Sequence, residues 1–257
     1  GMRAIVPSPF MISQITPTGC LPVRRQRSTA ASVCPARTST PPPTATSGKI
    51  CPGRIKSFAR DAGSASFCIV ICRSCAEIPV DVFSLASTET VNAVRRISPG
   101  TTMETLIPDF QGIHKHIDRL VEAAPEVISH NMETVKRLTR EVRIQAKYEK
   151  SLEVLRYLKA KGINRTKSGI MLGLGETEEE VIQTMRDLRE ANVDIVTIGQ
   201  YLQPSKNHAP VDRFVHPDEF KEFADYGMKI GFKNIWSGPM VRSSYHADRQ
   251  YEGKALV

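Results

Sequence analysis

Three cysteines stand close together in the run CIVICRSC at positions 68–75. Cys68, Cys72 and Cys75 have the spacing C-x3-C-x2-C, and three thiolates on one tight loop can hold three irons of a four-iron four-sulfur cube. The fourth iron then has no protein ligand and is open to a small molecule. A simpler alternative is a chance cluster of small buried residues, because free cysteine is among the most buried residue types.

Polar and glycine-containing motifs follow apolar runs in the second half of the chain. They are HNMET at 130–134, KSGIMLGLGET at 167–177, IGQYLQPS at 198–205 and GPMVRSSYHA at 238–247. If the apolar runs are parallel strands, these motifs lie at the carboxyl ends of the strands. Barrel folds place their chemistry at that edge.

The elements that must position these motifs alternate between strands and helices, as in a parallel α/β fold. We predict strands at residues 102–107, 126–129, 168–172, 194–199 and 234–236, and helices at residues 113–123, 148–160 and 218–230. A further helix begins at Thr177, which forms a capping box with Glu180 and is followed by the apolar residues Val181, Met185 and Leu188. A partial (β/α) barrel fits this order.

Taken together, the motifs closely resemble the lipoyl synthases, a family of radical S-adenosylmethionine (SAM) enzymes whose cluster has the C-x3-C-x2-C spacing. The resemblance is nearly continuous over residues 90–250 and poor before Cys68. It implies an α/β fold, a partial (β/α) barrel of radical SAM type. Only about 26 residues separate Cys75 from the strand at Thr102, where a complete barrel needs roughly 45, so we expect one βα unit to be lacking.

The resemblance also implies an activity, with its cofactors and partners. The family inserts two sulfur atoms at C6 and C8 of a protein-bound octanoyl chain, using 4Fe-4S clusters and SAM. The first cluster would be held by Cys68, Cys72 and Cys75, and cleavage of SAM on it would give the 5′-deoxyadenosyl radical that abstracts hydrogen. The implied partners are octanoylated lipoyl carrier domains and an electron donor such as flavodoxin or ferredoxin, with no nucleic acid and no membrane.

Individual residues receive roles from the same resemblance. The candidate SAM-binding residues are Asn131, Glu133, Lys167, Gly173, Gly175, Glu176, Gln200 and Arg242. Ser244, in the RSSY motif, matches a serine that binds a second, sulfur-donating cluster in the family. Plainer alternatives are that Asn131 and Glu133 are solvated polar residues at a strand end, that Lys167 and Arg242 are surface charges, and that the glycines only form a turn.

The cysteine motif of the second cluster is not found. The family has the spacing C-x4-C-x5-C near its N-terminus, whereas the other cysteines of this chain are Cys20, Cys34 and Cys51. This spacing does not match, and the chain is therefore not expected to assemble the second cluster. A second hypothesis is a non-catalytic binding protein that keeps the C-terminal half of the barrel and binds SAM or a carrier domain.

Charge divides the 257-residue chain, whose formal net charge is +8. Residues 1–75 hold ten basic residues and one acid, Asp61, while the other 182 residues hold 25 basic and 26 acidic residues. The run rich in Pro, Ser and Thr at 37–48 cannot bury enough apolar surface to offset the entropy of ordering. We therefore interpret residues 1–60 as a disordered or non-family segment, and residues 61–257 as the radical SAM domain.

The basic N-terminal composition has two further interpretations. Such segments occur in organelle transit peptides and in nucleic-acid-binding proteins such as a tRNA-modifying radical SAM enzyme, but aromatic residues that would stack on bases do not interleave with these charges. No run approaches the roughly 20 apolar residues of a membrane-spanning helix. Six cysteines without a secretory signal favour reduced thiols, and we expect a cytoplasmic protein.

Overall fold

Six parallel strands form one sheet, and their spatial order is their order along the chain. The computed structural model describes residues 66–69, 79–143 and 145–253, with the backbone alone for 66–69. The strands are β1 (Ser66–Ile69), β2 (Thr102–Leu106), β3 (Val127–Ser129), β4 (Arg165–Leu172), β5 (Ile195–Gln200) and β6 (Asn234–Gly238). Every neighbouring pair is parallel, so the carboxyl ends of all six strands lie at one edge.

Helices connect these strands. They are α1 (Val80–Ile97), α2 (His114–Glu122), α3 (Thr139–Val142), α4 (Tyr148–Ala160), α5 (Glu178–Glu190), α6 (Pro217–Lys229) and α7 (Ala247–Glu252). A short 3-10 helix, Phe110–Gly112, precedes α2. The predicted strands and helices are all present. Helix α4 has the predicted ends, and the ends of the others differ by one to three residues. In contrast, β1, α1, α3 and α7 were not predicted from the sequence.

The order of these elements confirms the α/β class and the partial (β/α) barrel of radical SAM type. Between β1 and β2 the described residues, 79–101, hold α1 and no strand, and the lack of a βα unit stays a prediction. All described residues belong to one compact unit. The interpretation of residues 1–60, including Cys20, Cys34 and Cys51, falls outside the part that the structure describes, and the domain boundary at 60 stays a prediction.

Two apolar clusters join the helices to one face of the sheet. One lies between α4, α5, α6 and strands β4 to β6, and includes Ile170, Val196 and Phe220. The other lies between α1, α2, α4 and strands β2 and β3, and includes Met103 and Ile128. Because side chains alternate along a strand, the residues between these positions face the opposite side of the sheet, which we call the inner face.

Local sequence fixes where two helices begin. The hydroxyl of Thr177 accepts from the backbone N–H of Glu180, whose carboxylate accepts from the Thr177 N–H, so the predicted capping box is confirmed. Before α6 the His216 ring accepts from the Asp218 N–H and the Glu219 carboxylate accepts from the His216 N–H, with Pro217 in the first turn. None of the helices in the described part of the chain is long and apolar enough to cross a membrane.

Candidate functional site

The inner face of the sheet is polar near its centre. Lys167 and Gly169 on β4 alternate with Ile170 and Leu172, which pack on the helices. A Cβ atom on Gly169 would lie 2.8 Å from the Thr197 hydroxyl and 3.0 Å from the Asn131 amide oxygen. Glycine at this position therefore leaves space between two polar side chains at the carboxyl ends of the strands.

The turn after β3 carries the clearest sign of a ligand site. Asn131 is buried, and neither its amide oxygen nor its amide nitrogen has a hydrogen-bond partner of normal geometry among the described residues, although its side chain lies near enough to the Glu133 carboxylate to lower the pKa of that group slightly. One carboxylate oxygen of Glu133 is also buried and without such a partner. Buried polar atoms are normally paired, so these three atoms, with the Thr134 hydroxyl beside them, make the turn a candidate place for a bound polar group or water. The alternative of solvated polar residues is wrong for Asn131.

Backbone strain marks the same turn. Glu133 has a φ of 67°, in the left-handed region of the backbone that residues other than glycine rarely adopt. It is held there by two hydrogen bonds to β4, from its N–H to the Gly169 carbonyl and from the Met171 N–H to its own carbonyl, each 2.9 Å. Strain of this kind persists only where the surroundings enforce it, and it clusters at ligand sites.

The electrostatics of the turn favour neutral groups. Burial raises the pKa of Glu133 to about 7, although the nearby charge of Arg143 acts in the opposite direction. Burial, together with the charge of Arg143, lowers the pKa of His130 to about 4. At neutral pH His130 is therefore an uncharged imidazole, whereas Glu133 gains or loses a proton readily.

The loop after β4 is built by glycines and one carboxylate. Gly173 and Gly175 have φ of 96° and 95°. The two carboxylate oxygens of Glu176 accept from the N–H of Gly173 at 2.6 Å and of Leu174 at 2.9 Å. Glu176 is thus engaged in holding the loop itself, and at Gly173 the loop packs closely against the Gln200 side chain and the Arg213 carbonyl.

Gln200, at the end of β5, is also engaged inside the protein. Its amide nitrogen donates to the carbonyls of Tyr201 and Arg213, and its amide oxygen accepts from the Val215 N–H at 2.9 Å. Its side chain therefore fixes the loop between β5 and α6. The SAM-binding roles predicted for Glu176 and Gln200 stay predictions, and the structure shows that both residues shape loops.

Lys167 is buried, so the alternative of a surface charge is wrong. Its ammonium lies 2.8 and 2.9 Å from the two oxygens of Glu104 and also donates to the carbonyl of Ser243. An ammonium has three donors, and all three are used here. Glu104, on β2, was missed in the sequence, where the only signal is an acidic residue inside a predicted strand.

The segment after β6 places Arg242 and Ser244 near the same edge. Arg242 is half-buried and donates to the Val241 carbonyl at 2.7 Å, and burial lowers its pKa. A Cβ on Gly199 would lie 3.3 Å from this guanidinium and overlap the Val241 carbonyl oxygen, which shows how closely the segment crosses β5. Ser244 is half-buried and follows the residue that Lys167 holds.

The predicted cluster ligands fall largely outside the described residues. Cys68 lies in β1, where the backbone alone is described, and Cys72 and Cys75 are not described. Within residues 79–143 and 145–253 no group of three or more His, Cys, Asp or Glu side chains could hold a metal ion. The assignment of Cys68, Cys72, Cys75 and Ser244 as metal ligands remains a prediction.

Known proteins are similar to this chain in sequence and in fold. The family model described as "Radical SAM superfamily" matches residues 74–188, beginning after Cys68 and Cys72. An archaeal Methanocaldococcus infernus Elp3 structure with an N-terminal deletion has a similar fold, with a TM-score of 0.50 at 11% identity over 69% of this chain and 48% of that one. By fold and sequence, this part of the chain belongs to the radical SAM superfamily.

Closer relatives give the family. The chain is 71% identical over 169 residues to the lipoyl synthase of Flavobacterium psychrophilum, and 68% identical over 169 residues to the mitochondrial lipoyl synthase of Nematostella vectensis. Each match covers 66% of this chain and 58% of the relative, so the chain spans less than two thirds of their length. Over the matched residues it belongs to the lipoyl synthase family.

Proposed function

We propose that this chain carries out the radical SAM chemistry of lipoyl synthase on an octanoyl chain attached to a lipoyl carrier domain. The identity of about 70% to lipoyl synthases carries this proposal. The coincidence of the site with the matched sequence supports it, because the turn that holds four unpartnered polar atoms of Asn131, Glu133 and Thr134 is the HNMET motif.

The residues on the inner face fit SAM in their chemistry. Asn131 offers one donor and one acceptor, and Glu133 offers an acceptor, for the amino, carboxyl and hydroxyl groups of a nucleoside-linked amino acid. Gly169 leaves space beside Asn131, because a Cβ there would lie 3.0 Å from the Asn131 amide oxygen. Arg242, half-buried at the same edge, is suited to a carboxylate.

The cluster and SAM, when bound, supply a carbon-centred radical that abstracts hydrogen from the octanoyl chain. Three cysteines, Cys68, Cys72 and Cys75, would hold the cluster. Ser244 would be the serine ligand of a second, sulfur-donating cluster, but the spacing of the remaining cysteines does not provide the other ligands of that cluster. The electron would come from a small redox protein such as flavodoxin or ferredoxin. We place this activity in the cytoplasm.

Metal analysis with SAM titration tests the proposal. The full chain is reconstituted anaerobically with iron and sulfide, and iron, sulfide and the dissociation constant for SAM are measured. About four irons per chain with SAM binding supports radical SAM chemistry, and about eight supports sulfur insertion as well. No bound iron and no SAM binding would overturn the proposal and favour a non-catalytic binding protein. Asn131→Ala, which removes both free amide atoms, should weaken SAM binding about tenfold or more.

A further inference from the structure

Arg143, just after α3, contacts the backbone of the ligand-binding turn. Its guanidinium donates to the carbonyl of Met132 at 3.0 Å, and Met132 lies between Asn131 and Glu133. The same nitrogen lies 3.2 Å from the hydroxyl of Ser151 on α4. Within the described part of the chain it forms no ion pair with a carboxylate at 4 Å or less.

Ser151 connects Arg143 to the residue on the other side of Asn131. The buried His130 ring has its Nδ1 2.9 Å from the Ile107 carbonyl and its Nε2 2.9 Å from the Ser151 hydroxyl. A carbonyl can only accept, so Nδ1 carries the proton. Because the imidazole is neutral, Nε2 accepts from Ser151, whose oxygen in turn accepts from Arg143.

These hydrogen bonds hold the residues on both sides of Asn131 and do not involve its side-chain amide. His130 before it and Met132 after it are both fixed, and Glu133 is held in its strained conformation by β4. A strained turn with free polar atoms needs support from its surroundings to keep one geometry. Arg143 is suited to this role because the two N–H groups of one guanidinium nitrogen serve both acceptors, and a guanidinium keeps its charge when it is buried.

We propose that Arg143 is a positioning residue that, through the Met132 carbonyl and the Ser151–His130 pair, holds the turn in the geometry that presents Asn131 and Glu133 to the ligand. The identity of the ligand as SAM rests on the proposed function. The positioning itself is a property of the chain alone, and it is measurable without SAM.

Amide hydrogen exchange tests the positioning directly. In Arg143→Met the amides of residues 131–133 should exchange about tenfold faster, while those of α5 keep the wild-type rate. Arg143→Lys should restore part of the protection, and Ser151→Ala, a milder change, should give a smaller increase. The matched control is Arg186→Met, which removes an exposed arginine of α5 that bonds the Tyr226 hydroxyl and should leave residues 131–133 unchanged.

SAM binding to the reconstituted full chain gives the second readout. Arg143→Met should raise the dissociation constant about tenfold, with Arg143→Lys between it and the wild type. Unchanged exchange at residues 131–133 in both Arg143→Met and Ser151→Ala would overturn the inference. If the wild type does not bind SAM but the variants exchange faster, the positioning role stands and the proposed function is wrong.

Discussion

The ammonium of Lys167 lies 2.8 Å from one carboxylate oxygen of Glu104 and 2.9 Å from the other, and both side chains are buried in the middle of the inner face. The pair joins β2 to β4, and its third hydrogen bond holds the Ser243 carbonyl. Residues from three distant parts of the sequence are thereby fixed next to Ser244.

Lys167→Met should lower the free energy of unfolding by about 3–5 kcal/mol, because it leaves the Glu104 carboxylate buried without a partner. Urea unfolding followed by the fluorescence of Trp236, the single tryptophan, measures the loss. The double variant Glu104→Met/Lys167→Met should recover most of it. Lys136→Met, which removes an exposed pair with Glu149, should leave the free energy of unfolding almost unchanged. An equally small change in Lys167→Met would contradict the prediction.

The free energy of unfolding of Glu133→Gln, compared with that of the wild type, should increase as pH rises from about 5 to 7. Burial raises the pKa of Glu133 from 4.5 to about 7 in the folded protein, so in this range the folded state keeps a proton that the unfolded state has lost, and wild-type stability falls. Glutamine does not titrate, so the advantage of the variant should grow to about 3 kcal/mol at most and level off above pH 7.

The comparison between variant and wild type is needed because His130 acts in the opposite direction. Burial lowers the pKa of His130 from 6.5 to about 4, which makes stability rise with pH between these values in both proteins. This contribution cancels in the difference. Glu222→Gln, at an exposed position of α6, serves as the control. A stability difference between Glu133→Gln and wild type that is constant from pH 4 to 8 would show that Glu133 titrates normally.

Gly173→Ala should destabilise the protein by about 2–4 kcal/mol. The added methyl group would sit at φ of 96° and overlap the Gln200 amide and the Arg213 carbonyl. Gly175 and Gly231 also have positive φ. A Cβ on Gly175 would lie 3.7 Å from its nearest neighbour, and a Cβ on Gly231 would have no neighbour within 4 Å among the described residues. Gly175→Ala and Gly231→Ala should therefore each destabilise the protein by about 1–2 kcal/mol. Equal losses in the three variants by urea unfolding would show that the overlap at Gly173 relaxes.

The triple variant Cys68→Ala/Cys72→Ala/Cys75→Ala should lose its bound iron and its SAM cleavage, since each thiolate supplies one iron ligand. Iron analysis and the visible absorbance of the reconstituted chain measure this. The matched control is Cys20→Ala/Cys34→Ala/Cys51→Ala, which should keep both. Unchanged iron content in the first variant would show that the cluster motif has been misassigned.

Incubation with SAM, a reductant and an octanoylated lipoyl-domain peptide should give 5′-deoxyadenosine without a lipoyl group. Ser244 is present, but the spacing of Cys20, Cys34 and Cys51 does not match that of a sulfur-donating cluster. A radical formed on the octanoyl chain would therefore have no cluster sulfide to react with. Mass spectrometry of the peptide decides the question. A gain of two sulfurs with loss of two hydrogens would show that the donor cluster forms and that our interpretation of the N-terminal third is wrong.

Most strands and helices after residue 100 could be predicted because their signals are local. The capping box at Thr177 and the apolar period of α5 depend on residues within three or four positions, where backbone geometry alone brings them together. Helix α1 was missed since its buried face includes Ser84 and Ser87. Both hydroxyls are satisfied by carbonyls, so these serines pack in a core where the sequence shows no apolar period.

By itself, the sequence determined the α/β class, the position of the polar motifs at strand ends and the family of the matched residues. The tertiary structure decided what each polar side chain does. Lys167 and Glu104 are 63 positions apart, and Arg143 reaches Ser151 and Met132 across two elements. Such pairings depend on strand register and helix packing, which form only when the whole sheet assembles. Spacing along the chain therefore could not show whether a polar residue bonds another part of the protein or contacts a ligand.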